Sequence, residues 1–149
     1  FRLTKNGKLI EGVFRGATIN TPSMLCVADY LDTLDWVRSI GGLAATIGRS
    51  ERNLGVVERF VQENDWAHFL AKEESQRSST SVCLTLDLDD EKVKALVALL
   101  GEEAVALDIG AYRDAPAGLR IWCGSTVEEN DLELLMPWLN WAYGQVSGE

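Results

Sequence analysis

The sequence contains little of the chemistry that metal sites and nucleophilic hydrolases need. Its 149 residues include one histidine, His68, and three widely spaced cysteines, Cys26, Cys83 and Cys123, none of them in a CxxC pair. A zinc site would need ligands from distant parts of the chain, and a Ser-His or Cys-His pair has only one candidate base. We therefore expect three buried, reduced thiols and a structural imidazole whose hydrogen bonds are satisfied.

Positive charge is also scarce. The 14 Lys and Arg residues against 23 Asp and Glu give a formal net charge of −9. Surfaces that bind nucleic acid or anionic membranes gather cationic side chains, so neither is expected as a partner. No run approaches the roughly 18 apolar residues of a membrane-spanning helix, and no signal peptide is visible. Glycine-rich phosphate-loop motifs are absent, which disfavours a nucleotide-binding fold. We expect a soluble, cytoplasmic protein.

The composition, 46% hydrophobic and 25% charged, is typical of one folded domain. In the first half the pattern predicts two helices. Thr21 is the expected N-cap of the first and Pro22 its first residue. A second helix is predicted from residue 43 to about residue 63. The first helix has an apolar stripe at spacings of three and four, formed by Met24, Val27, Leu31 and Leu34.

The second half alternates between strand and helix patterns. Period-two alternation predicts strands over residues 81–88, 104–109 and 119–123. Asp89 or Asp90 is expected to cap a helix that ends near Gly101. A last helix is predicted after a Thr126-x-x-Glu129 capping box, with a kink or boundary at Pro137. This order predicts an α+β fold, with a split βαβ-like sheet covered by helices.

Two features carry recognisable binding chemistry. Asn20 and Thr21 precede a helix, where free N–H groups and the helix dipole favour an anion, although most such residues are only caps. Arg77 lies four residues before a strand, where its planar guanidinium can bind a carboxylate through two parallel bonds, although a solvated loop charge is the simpler interpretation. Arg113 and Arg120 are open to the same two interpretations, carboxylate binding or a solvated charge. Arg120 can instead pack its methylene stem on the sheet.

Three stretches in this order resemble one enzyme family: TINTPSM at residues 18–24, SIGGL at 39–43 and QRSSTSV at 76–82. The chain resembles the C-terminal part of phosphoserine aminotransferases, which are class V, fold-type I pyridoxal-phosphate enzymes. The similarity extends to GLRIW at residues 118–122 and the capped last helix. The opening segment is most similar to the alphaproteobacterial and archaeal variety.

The resemblance implies roles for particular residues. Asn20 and Thr21 match the pair that binds the cofactor phosphate of the neighbouring subunit in a homodimer, and Arg77 matches the arginine that binds the substrate carboxylate. The family's cofactor-binding lysine lies upstream, and neither Lys5 nor Lys8 stands in a matching motif. The chain is therefore expected to lack catalytic residues and to be inactive alone. Neither His68 nor Arg113 can be aligned with the residues that bind the substrate phosphate.

The resemblance also implies a domain division and an activity. Residues 1–20 would lead from a missing large domain, and residues 21–149 would form the small C-terminal domain. The full-length protein would transfer an amino group between glutamate and 3-phosphohydroxypyruvate to give O-phosphoserine, in serine biosynthesis. Two alternatives remain open: another class V aminotransferase, of the alanine–glyoxylate or serine–glyoxylate type, and a non-catalytic partner-binding domain.

Overall fold

The computed structural model describes residues 3–18 and 20–148 and divides into two compact units, Phe1–Ile40 and Gly41–Glu149. The predicted division after residue 20 stays a prediction. Four positions lie outside the described residues: Phe1 and Arg2 of the predicted leading segment, Ile19 of the 18–24 motif, and Glu149 at the end of the predicted small domain. Each unit is described below by itself.

The first unit begins with a small hairpin. Strands β1 (Thr4–Lys5) and β2 (Lys8–Leu9) pair antiparallel. The two residues between them, Asn6 and Gly7, both have positive φ, as a two-residue hairpin turn of this kind requires. A 3-10 turn at Glu11–Arg15 follows.

Helix α1 (Met24–Ser39) completes the first unit, and it departs from the prediction in two respects. Its N-cap is Ser23, whose hydroxyl accepts from the N–H of Cys26, so the predicted cap at Thr21 is wrong. None of its residues is buried, so the predicted burial of Cys26 is wrong as well. Met24, in the apolar stripe, is 78% exposed. Within this unit the remaining described elements are a hairpin with strands of two residues each and a 3-10 turn, which are too small to cover a helix of 16 residues.

The second unit is a three-stranded antiparallel sheet with three helices. The sheet order is β3-β4-β5, with Val82 opposite Ile121 in the β4–β5 register. Helix α3 lies in sequence between the neighbouring strands β4 and β5. The elements in chain order are α2 (Gly42–Glu63), β3 (Ala67–Phe69), β4 (Ser81–Leu86), α3 (Asp90–Glu102), β5 (Leu119–Trp122) and α4 (Glu129–Ser147).

The core of this unit lies between one face of the sheet and the helices. Along β4 the even-numbered residues are buried and the odd-numbered residues only half-buried, as the period-two pattern predicts. The α+β class, with helices over one sheet face, is confirmed. The helices contribute nine buried apolar residues to this core, three each: Val56, Val57 and Phe60 from α2, Val93, Leu96 and Leu100 from α3, and Leu132, Leu139 and Ala142 from α4.

The predicted strand over residues 104–109 is wrong. Ala104 has a positive φ of 55°, and the N–H groups of Val105 and Ala106 both donate to the carbonyl of Leu100. These amides satisfy a carbonyl that the end of α3 leaves free, so they are not available to a sheet. At the end of the segment the carbonyl of Ile109 accepts from the N–H of Arg120 at 2.8 Å, and Gly110 forms an isolated bridge to Leu119.

The helix ends in the second half are partly as predicted. Asp89 caps α3, its carboxylate accepting from the N–H of Lys92 at 2.8 Å. The predicted capping box at Thr126 is wrong, because α4 has Glu128 as its N-cap without a side-chain cap bond. Pro137 lies inside α4, so it is not a helix boundary. Among the described residues no helix is both long and apolar enough to cross a membrane.

Candidate substrate-binding site

Arg77 has a fixed place at the entrance to β4. It follows a 3-10 turn, Glu74–Gln76, and precedes the strand by four residues. Its Nε donates to the carbonyl of Ala71 at 3.3 Å, and its guanidinium carbon lies 4.1 Å from the centre of the Phe69 ring. A cation over an aromatic face is attracted by the ring's negative quadrupole. The side chain is therefore held by β3 and the segment after it, and does not move freely in solvent.

A cavity of about 280 Å³ opens beside this guanidinium. Phe69 and Val82 supply apolar lining, and Gln76, Ser78 and Arg77 supply the polar groups. Among residues 3–18 and 20–148 no carboxylate forms an ion pair with Arg77, and its two terminal nitrogens, Nη1 and Nη2, bond no other described residue. Both terminal nitrogens of Arg77 are therefore available to a ligand, and a guanidinium can bind a carboxylate through two parallel N–H donors.

The backbone next to Arg77 is fixed by a side chain. The hydroxyl of Ser78 accepts from the N–H groups of Thr80 and Ser81, at 3.2 and 3.1 Å. A serine hydroxyl that caps following amides in this way stabilises a turn. This turn sets the direction in which the chain leaves Arg77 and enters the sheet.

Asn20 and Thr21 precede α1 in the first unit, whereas Arg77 belongs to the second, so the two candidate sites are separate observations. Both residues are exposed. Because Ser23 is the N-cap, the hydroxyl of Thr21 is not used to cap α1, and neither side chain bonds another described residue. The amide and hydroxyl are therefore free to bind an anion close to the positive end of the helix dipole.

The other arginines raised by the sequence have different surroundings. Arg120 lies on the half-exposed sheet face opposite Cys83, and its Nη2 pairs with Asp108 at 2.9 Å. Its Nε is buried without a partner among the described residues. Arg113 is exposed on the loop before β5, where it lines a separate cleft of about 490 Å³ with Tyr112.

The single histidine forms a hydrogen bond, as we expected, but its side chain is more exposed than we expected of a structural imidazole. His68 lies on β3, with its Nε2 3.1 Å from a carboxylate oxygen of Asp87. About half of the His68 side chain is exposed, so the pair lies at the surface. Among the part of the chain that the structure describes, no group of three or more His, Cys, Asp or Glu is arranged to hold a metal ion.

The three thiols are free, in three environments. Cys26 is exposed, Cys83 is half-buried on the open sheet face, and Cys123 is buried just after β5. Burial raises the pKa of the Cys123 thiol from 9.0 to about 12, because the low-dielectric interior disfavours the thiolate. Only Cys123 is thus as buried as the sequence analysis expected of all three.

Sequence reasoning missed a buried amide that holds this end of the sheet. Asn53, on α2, is 1% exposed, and its Nδ2 lies within hydrogen-bond distance of three backbone carbonyls in the segment after β5. Arg49, one turn earlier, donates from its Nε to the carbonyl of Ser125 and pairs with Glu128. No local signal marks it, because Asn53 ends a polar run, residues 49–53, in the second predicted helix.

Comparison with known proteins gives one consistent result. Two phosphoserine aminotransferases, from Methanosarcina mazei and Methanosarcina barkeri, are each 58% identical to this chain over 146 residues, which is 98% of the chain. A putative phosphoserine aminotransferase from Mycobacterium avium is 26% identical over 133 residues. The chain spans about 40% of the length of the Methanosarcina relatives and 35% of the mycobacterial one. No family model matches the chain.

Solved structures agree at the level of the fold. Phosphoserine aminotransferase from Bacillus circulans subsp. alkalophilus superposes with a TM-score of 0.79 at 17% identity, over 89% of this chain and 36% of that one. A second phosphoserine aminotransferase structure gives a TM-score of 0.80 at 18% identity, over 95% of this chain and 40% of that one. The resemblance found in the sequence is confirmed: over nearly its whole length the chain is a homologue of the C-terminal part of the phosphoserine aminotransferases.

Proposed function

We propose that this chain is the C-terminal part of a phosphoserine aminotransferase, a cytoplasmic, homodimeric, pyridoxal-phosphate-dependent enzyme. The full-length protein transfers an amino group between glutamate and 3-phosphohydroxypyruvate to give O-phosphoserine, in serine biosynthesis. The observation that carries the proposal is the 58% identity, over 98% of the chain, to two proteins of that name. Since the chain spans about 40% of their length, the activity is proposed for the longer protein.

Arg77 is proposed to bind the substrate carboxylate. Both glutamate and 3-phosphohydroxypyruvate carry a carboxylate beside the reacting carbon, so one guanidinium can serve both half-reactions. Contacts with Phe69 and Ala71 leave the two terminal nitrogens of Arg77 free for a bidentate pair. A substrate held in this way has its reacting carbon oriented before the chemistry begins, which lowers the entropic part of the barrier.

Asn20 and Thr21 are proposed to bind the cofactor phosphate of the neighbouring subunit. Their side chains fit this role because both are exposed, unpaired within the described part of the chain, and close to the positive end of α1. When bound, the cofactor would supply an electron sink for the reacting carbon of the substrate. Lys5 and Lys8 flank the turn of an exposed hairpin, so the lysine that holds the cofactor is proposed to lie elsewhere in the full-length protein.

The activity is tested with the full-length protein and pyridoxal phosphate. Glutamate-dependent amination of 3-phosphohydroxypyruvate is compared with that of glyoxylate and pyruvate. We expect activity with the phosphorylated acceptor. A preference for glyoxylate would assign the protein to the alanine–glyoxylate or serine–glyoxylate type. Absence of the absorbance of bound cofactor would contradict any aminotransferase assignment.

The carboxylate site is tested in the same protein with Arg77→Ala. Loss of a charge-assisted pair costs about 1.5–3 kcal/mol, or roughly 10- to 150-fold in kcat/KM. Arg59→Ala is the matched control, because this guanidinium is exposed on α2 and pairs with Glu133. A large loss in Arg120→Ala together with normal kinetics in Arg77→Ala would place the carboxylate site at Arg120 instead.

The cofactor site is tested by titration with pyridoxal phosphate. Asn20→Ala and Thr21→Ala should each weaken binding, because each removes a side-chain group proposed to bind the phosphate. Ser23→Ala is the control, since it removes only the cap of α1. Equal cofactor affinity in all four proteins, wild type included, would contradict this part of the proposal.

A further inference from the structure

Asn53 makes an unusual set of contacts for a helix residue. Its Nδ2 carries two hydrogens and lies 3.2 Å from the carbonyl oxygen of Cys123, 3.3 Å from that of Gly124 and 3.0 Å from that of Val127. All three carbonyls belong to the connection between β5 and α4. With two hydrogens the amide bonds two of these carbonyls or shares a hydrogen between neighbouring ones, and the carbonyl of Gly124 also accepts from the N–H of Val127.

A series of hydrogen bonds leads from this segment to Arg77. The N–H of Cys123 donates to the carbonyl of Thr80 at 2.6 Å. The N–H of Thr80 donates in turn to the hydroxyl of Ser78, the residue directly after Arg77. Asn53 is thus joined to the backbone beside the candidate carboxylate site by three successive bonds.

Apolar packing and hydrogen bonds both join α2 to this segment, because Val57 and Cys123 belong to the same buried core and Val127 packs against it. A cavity of about 320 Å³ lies between α2 and the two segments, lined by Ser50 and Thr80 among others. Trp122 and Gly124 also line this cavity, and the indole of Trp122 lies so close to Gly124 that a Cβ there would clash with the ring. Beside this cavity, hydrogen bonds from Asn53 and Arg49 join α2 to the segment after β5.

We propose that Asn53 is a positioning residue for the substrate-carboxylate site. It holds the segment at residues 123–127 and, through the Cys123–Thr80 bond, the turn at residues 77–81 that carries Arg77. The substrate class in this inference rests on the proposed function. The hydrogen-bond route does not, so the two can fail separately.

The first test measures amide hydrogen exchange in the full-length protein by mass spectrometry with fragmentation to single residues. Asn53→Ala should speed exchange at the amides of Cys123 and Thr80 by on the order of tenfold relative to amides of α3, because a local restraint is lost. Asn64→Ala is the matched control, since the Nδ2 of Asn64, the C-cap of α2, donates to the carbonyl of Phe60 in the last turn of that helix. If Asn53→Ala does not fold, Asn53→Ser retains a smaller donor and tests the same point. Unchanged exchange at Cys123 and Thr80, or an equal increase throughout the chain, would overturn the inference.

The second test measures kinetics in the full-length protein. Asn53→Ala should raise KM for glutamate and for 3-phosphohydroxypyruvate by on the order of tenfold, because small displacements of a binding group cost much affinity. The change in kcat should be smaller, and Asn64→Ala should leave both constants unchanged. An active wild type with unaltered KM in Asn53→Ala would overturn the positioning role even if exchange is faster. An inactive wild type would refute the proposed function and leave the exchange result standing.

Discussion

The buried thiol of Cys123 gives a prediction that needs neither cofactor nor substrate. Burial raises its pKa from 9.0 to about 12, and its side chain is 0% exposed. The thiolate is the reactive form, and at pH 8 its fraction falls from about one tenth at the ordinary pKa to about one part in 10⁴ at the raised pKa. Ionisation alone should therefore slow the reaction of Cys123 by about a thousandfold, before exclusion of the reagent from the core is considered.

The assay is modification of the folded chain with 5,5′-dithiobis(2-nitrobenzoate) at pH 8, followed by peptide mapping. Exposed Cys26 should react first and half-buried Cys83 more slowly. Cys123 should react only as fast as the chain opens. In urea all three thiols should react at similar rates, which controls for sequence effects on reactivity. Reaction of Cys123 in the folded protein within about tenfold of the rate of Cys26 would refute the reasoning.

Three further predictions concern stability, measured by urea unfolding. The pKa of the Cys123 thiol is higher in the folded state, so the folded chain holds this proton more tightly than the unfolded chain does. The contribution of this thiol to the free energy of unfolding is therefore complete below about pH 9 and is lost as the pH rises towards 12. Between pH 8 and 10 the free energy of unfolding should fall by about 1 kcal/mol, and this fall should be absent in Cys123→Ala. Leu96→Ala, at a fully buried position, should cost about 2–5 kcal/mol, whereas Leu107→Ala, at an 82% exposed one, should cost under about 0.5. Asp89→Ala should cost about 1 kcal/mol through loss of the α3 cap, and Asp89→Asn should retain most of it because the cap acceptor remains; equal losses in both would contradict the capping explanation.

The elements that the sequence predicts well are those whose pattern and surroundings agree. The alternation along β4 matches a strand with one face on the core, and the N-cap of α3 is one of the two adjacent aspartates that the sequence analysis names, Asp89 and Asp90. In these places local preference and tertiary packing select the same structure.

The failures occur where two local solutions compete. Thr21 and Ser23 are both good N-caps two residues apart, and only the backbone geometry selects Ser23. The alternating residues 104–109 have a strand pattern, but their first amides bond the end of α3 instead. Hydrophobic period and residue propensity cannot predict which partner these amides bond, since the partner depends on where the helix ends.

The sequence predicts the part of the candidate site that depends on local pattern and misses the part that depends on tertiary contacts. The position of Arg77 before a strand follows from local pattern, and the structure has it four residues before β4. Its contacts with Phe69 and Ala71 depend on how β3 pairs with β4. The role of Asn53 depends on a segment about 70 residues away in the sequence, which no local pattern connects to it.

The position of α4 in the chain has a consequence for synthesis. This helix packs against both α2 and α3, and it is the last described element to leave the ribosome. Until residues 129–147 emerge, the nascent second unit has two helices whose apolar sides lack their common partner. Such exposed surface is what chaperones bind and what makes folding intermediates aggregate. A stop codon near residue 128 should therefore yield a chain that is degraded or aggregated, even though every strand of the sheet is complete.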